Sequence, residues 1–166
     1  MLDGLAKGVA MTDGRAAWVD YLSRMFNPGH DGIDAAALSF DGQPAENEIL
    51  ALGPGVPASA MTVQGGTFNS AFAGATATNP PAITLAGTKR ACTRAVDVKF
   101  YNTLEDRDAE YEPVATGLLF FCPLQDNKIL LVVQKPGQVA AVMGDRSAVE
   151  HMVAYIREGL ICSIDF

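Results

Sequence analysis

Between Glu48 and Lys89 the chain carries no charged side chain, so forty consecutive residues, 49–88, are apolar, small or neutral-polar. At the chain's overall 19% charge, such a gap would open at a given start about twice in ten thousand independent draws. Charged groups are normally spread over a soluble surface. The run is broken throughout by Gly, Pro, Thr, Asn and Ser, so it lacks the roughly 18 continuous apolar residues of a membrane span. Its middle part, 64–82, is a long uncharged loop with Phe68 and Phe72 as the only large side chains. Loops of more than about 12–15 residues are functional or disordered as a rule. Small residues that admit close backbone approach, with two phenylalanine pegs, suit an extended segment laid against other protein. Interface cores avoid charge for the same desolvation reason.

The whole chain is one domain's worth, 166 residues with 49% hydrophobic content, which excludes the low-hydrophobicity, high-charge signature of disorder. Net charge is −7. An acidic chain without a basic stripe is a poor partner for nucleic acid or for an anionic membrane surface. "MLDGLAKGVAMTDG" has an acid at position 3 and no apolar block, so no signal peptide is expected. Cys92, Cys122 and Cys162 form no Cys-x-x-Cys pair. They are expected to be free structural thiols in a reducing cytoplasm, the alternative being a disulfide, within the chain or between subunits.

Residues 1–12 read as an arm. "DGRAAWVDYLSRMF" has the spacing of an amphipathic helix, with Asp13 as N-cap and Asn27-Pro28-Gly29 as its stop. Strands are expected at "AAALSF", "EILALG", "AITLAGT" and "ACTRAVDVKFYNT". In the last, Val96, Val98 and Phe100 alternate with Asp97, Lys99 and Tyr101, as on a half-buried strand. "ATGLLFFCPL" and "KILLVVQ" read as a buried hairpin, followed by a strand at "VAAVMG". Asp145 is expected to cap a C-terminal helix with a stripe through Val149, Met152, Val153, Ile156 and Leu160, and "LICSIDF" returns as a strand. The fold class is therefore α+β and β-rich: a single domain over 13–166 of about eight short, mostly antiparallel strands, sandwich or barrel-like, with a helix near each end.

Catalytic signals are weak. His30 sits in a turn with Asp31 and Asp34 but matches no calcium or zinc pattern, and His151 lies off the apolar stripe of its helix. "GPGVPASA" lacks the G-K-[ST] ending of a phosphate loop, and its prolines remove N–H donors that a phosphate cradle needs. The acidic run Glu105, Asp106, Asp108, Glu110 and Glu112 reads as a solvated face. No enzyme activity, cofactor or metal is expected.

The combination of a small acidic β-rich domain, an N-terminal arm and a long uncharged loop resembles in style the phage virion proteins, such as head decoration (cement) proteins and tail or neck subunits. The resemblance implies a structural protein that self-associates or docks on a larger particle, assembled in the host cytoplasm, with no nucleic acid or membrane partner. Head decoration is the leading role. Trp18, Met25, Phe26, Phe68 and Phe72 are the interface candidates. Two alternatives are a small-ligand or carbohydrate-binding β module, with Trp18, Tyr101 or Tyr111 as aromatic platforms, and a small enzyme with a dispersed site.

Overall fold

The computed structural model of the chain describes residues 11–166. Nearly all of the arm assigned to 1–12 lies outside the described residues. Helix α1 spans Met11–Phe26, so Asp13 falls inside it rather than capping it. Trp18, Leu22 and Phe26 recur every four residues and bury one stripe. Asn27, at φ 47, takes the left-handed conformation that ends the helix.

Nine strands and four α-helices follow one another among the described residues. Strand β1 (Ile33–Phe40) pairs with β2 (Ile49–Leu52). A short helix α2 (Phe68–Phe72) precedes the hairpin β3 (Ala82–Leu85) and β4 (Thr88–Ala91). Then come β5 (Arg94–Phe100), α3 (Leu104–Asp108), β6 (Ala115–Pro123), β7 (Lys128–Lys135), β8 (Gln138–Asp145), α4 (Val149–Gly159) and β9 (Cys162–Asp165). Seven strands form one open antiparallel sheet in the order β2-β1-β8-β7-β6-β5-β9, and β3 and β4 form a second, two-stranded sheet. The expected α+β, β-rich class is what the chain adopts.

The large sheet is covered on both faces, which explains why its central strands are continuously apolar. On one face Ala36, Leu38, Leu131, Val133 and Val142 meet α1 and α4, through Trp18, Leu22, Phe26, Met152 and Ile156. On the other face Ala35, Ala37, Val132, Ala141 and Phe120 meet Met61, Val63, Phe68, Phe72, Ile83 and Leu85. All six of those covering side chains belong to the charge-free run. The run is thus the second covering layer of the protein's own sheet. Within β5 the alternation holds because one face, with Asp97 and Lys99, stays open to solvent, but Tyr101, expected on that face, lies beyond the strand and is buried.

Three local expectations are corrected. "ACTRAVDVKFYNT" is two strands, β4 ending at Ala91 and β5 starting at Arg94, because Cys92 and Thr93 turn onto β6: Thr93 N–H donates to the Phe121 carbonyl at 2.9 Å. Cys92 and Cys122 are disulfide-bonded rather than free, joining the end of the layer to β6. Cys162 remains a free, buried thiol. Asp145 does not cap the last helix, which is led in by a 3₁₀ turn at Arg146–Ala148; its carboxylate instead takes the Lys128 ammonium at 2.6 Å.

Candidate functional site

The charge-free layer is docked at both ends of α2. At its start, Thr67 and Ser70 form a reciprocal capping box. The buried Glu48 carboxylate accepts the Phe68 N–H at 2.8 Å and the Ser39 hydroxyl accepts the Asn69 N–H at 3.1 Å. The Asn69 amide donates to Asp41 at 3.2 Å. Burial pushes the Glu48 carboxyl above its usual range, against the smaller opposing pull of the Phe68 and Ser39 hydrogen bonds. At the far end, the Gln134 amide on β7 donates to the carbonyls of Phe72, Ala73 and Ala75. The last charged residue before the run is therefore spent on holding the run in place.

Four of the five interface candidates are occupied by this packing. Trp18, Phe26, Phe68 and Phe72 are 2%, 1%, 0% and 0% exposed within a single chain. The apolar surfaces of Phe26, Phe68 and Phe72 are filled intramolecularly, which corrects the expectation that the phenylalanines act as pegs into another subunit. Met25 is partly buried and lines a shallow apolar groove between α1 and α4 with Tyr21, Tyr155 and Gly159.

What burial does not account for is the outward side of the layer. Twenty positions within 49–88 are exposed, and none is charged. They are Gly, Ala, Ser, Thr, Pro, Asn and Gln, with Leu52 as the one large apolar side chain. At the roughly 25–35% charge of an ordinary surface, twenty uncharged positions would occur at most about three times in a thousand draws. The inward half of the run is explained by the core, and the outward half is not.

Two concavities flank the uncovered end of the sheet. One, of about 580 Å³, is polar and lies between α3, the following loop and β9, lined by Lys99, Arg107, Tyr111, Glu112, Arg157 and Ser163. Its central cation is already engaged, since Arg107 pairs with Asp108 at 3.0 Å and donates to the Arg157 carbonyl at 3.2 Å. The other, of about 490 Å³, is aromatic and includes Trp18, Tyr21, Tyr101 and Lys135. The three rings considered as platforms are thus divided: Tyr101 borders both spaces, Trp18 lines the second, and Tyr111 the first. Tyr21 and Lys135 were missed, and no local pattern marks them, because the cleft draws on five separate segments.

Nucleophilic chemistry finds no support at Cys162, whose thiol burial pushes up to about 12. At the opposite end of the sheet Lys128 bridges Asp145 and Asp34 at 2.6 and 2.8 Å. These two hydrogen bonds hold its ammonium pKa above the usual lysine range. His30 and His151 are exposed. Among the described residues no group of acidic, histidine and cysteine side chains is placed to hold a metal ion, and no helix is long and apolar enough to cross a membrane. Comparison with protein-family models, curated proteins and solved structures found no match to this chain.

Proposed function

We propose that the protein is a structural subunit that self-associates through the outward face of its charge-free layer. The supporting observation is the set of twenty exposed, uncharged positions between residues 49 and 88. Two copies of a chain with net charge −7 repel wherever their carboxylates approach. A neutral face is where they meet at least Coulombic cost, and small uncharged groups are cheaply desolvated. The disulfide and the hydrogen bonds around α2 make that face rigid before association, which lowers the ordering cost of binding. Within this class the proposed role is that of a virion component of the head decoration kind.

The test is molar mass by light scattering as a function of concentration. Wild-type protein is expected to run at multiples of 17.5 kDa, and the double variant Ser59→Glu, Ala77→Glu at the single-chain mass with an unchanged thermal melt. Both substituted positions are exposed. A wild-type chain that stays at single-chain mass up to millimolar concentration overturns the proposal.

A further inference from the structure

The aromatic cleft carries a second inference, independent of the association face. It opens where β5 and β7 end and β6 and β8 begin, beside α1 and the link from α4 to β9. Trp18, Tyr21 and Tyr101 supply aromatic wall, and Asn102, Lys135 and Gln138 supply polar groups. Its volume of about 490 Å³ lies in the range of small-molecule pockets, about 300–1,000 Å³.

The chemistry of the lining is one-sided. Lys135 is its one charged side chain, and no carboxylate lines the space. The ammonium lies 5.3 Å from the centre of the Phe100 ring, and no ion pair joins it to an acid among the described residues. Trp18 is 2% exposed, and its indole N–H is buried without an acceptor. A buried donor left unpaired costs about 1–3 kcal/mol. Tyr21 already donates its hydroxyl to the Gly159 carbonyl. What the space lacks is a negative charge, and what it offers is one cation beside aromatic surface.

We propose that this cleft binds a small organic carboxylate with a planar apolar body. The carboxylate would face Lys135, with the Asn102 and Gln138 amides as further donors. The ring would lie among Trp18, Tyr21 and Tyr101, where edge and offset contacts between aromatic rings are favourable.

Trp18 is the chain's single tryptophan, so its indole N–H gives one resonance in a ¹H–¹⁵N correlation spectrum. Titration of the protein with benzoate is expected to move that resonance to saturation. Benzamide, the neutral isostere, and benzylamine, the cation, should bind at least about tenfold more weakly, the difference made by one charge-assisted hydrogen bond. Lys135→Gln should bring benzoate down to the benzamide level, and Lys135→Arg should retain its advantage. An indole resonance that benzoate leaves unmoved in folded protein overturns the proposal. So does equal affinity for the three probes, or a benzoate response that survives Lys135→Gln. If that variant does not fold, the three-probe series on wild-type protein decides alone.

Discussion

Phe72→Ala separates a phenylalanine that belongs to its own core from one that belongs to a neighbour. Phe72 is fully buried within one chain, and its ring centre lies 5.3 Å from that of Phe120 on β6. Truncation removes the transfer free energy of the ring and leaves a cavity against a packed sheet face, a loss of about 3–5 kcal/mol. The lost ring pair falls within that figure, at about 0.5–1.5 kcal/mol. The backbone of α2 stays clamped, because the Gln134 amide holds main-chain carbonyls rather than the ring. Against a total stability of about 5–15 kcal/mol for a domain, this is a fifth or more. A melting temperature lower by about 6–20 °C is expected, at about 2–4 °C per kcal/mol for a chain of this size. The assay is urea unfolding followed by Trp18 fluorescence and far-UV circular dichroism, at two protein concentrations tenfold apart. Trp18 packs on the opposite face of the sheet, so coincident curves report global unfolding. The expected result is a lower midpoint, an unchanged slope and the same loss at both concentrations. A loss under about 1 kcal/mol accompanied by weaker association would refute the intramolecular packing of the layer.

Three further outcomes follow from the same contacts. Reducing the Cys92–Cys122 bond, which spans a separation of 30 residues, should lower stability by about 3.6 kcal/mol on the loop-entropy relation; three free thiols in the unfolded, unreduced protein would contradict the bond. Glu48 has a folded-state pKa raised above its ordinary 4.5, so its stabilising contribution is complete below that value and is lost as pH rises through the folded one. Glu48→Gln should therefore flatten the stability profile above about pH 4.5 without weakening the fold at neutral pH, and an unaltered profile from urea melts across that range would count against the buried carboxyl. Lys128→Met leaves Asp34 and Asp145 facing one another without their shared cation, and, because all three groups are partly solvated, should cost about 0.5–1 kcal/mol at neutral pH, measured by thermal melt; no change would show that the bridge is structurally idle.

The hairpin β6–β7, the alternation of Val96, Val98 and Phe100, and the stripe through Met152 and Ile156 were legible because each is a local period. The layer was only half legible. Phe68 and Phe72 are spaced one helical turn apart, and Thr67 with Ser70 is a capping pair, so α2 had a local signal. Its destination on Ala37, Ala141 and Phe120 is set by non-local packing that no window of the sequence contains. The absence of charge marked the segment as covering something, and left open whether that was its own sheet or another subunit. The disulfide was hidden for a related reason. Cys92 reaches Cys122 only because the β4–β5 junction turns onto β6, and spacing alone does not specify that turn. Tyr21, Lys135 and Gln138 meet at the cleft through the sheet's connectivity, with no shared motif.

The most direct test of a two-sided layer is amide hydrogen exchange, compared between dilute and concentrated protein. Protection of Asn69 and Ala71, whose N–H groups are bonded within the chain, should be the same at both concentrations. The exposed stretch 73–79 should exchange more slowly in the concentrated sample. If 73–79 exchanges at one rate regardless of concentration, the outward face meets no second copy, and the neutral surface requires another explanation.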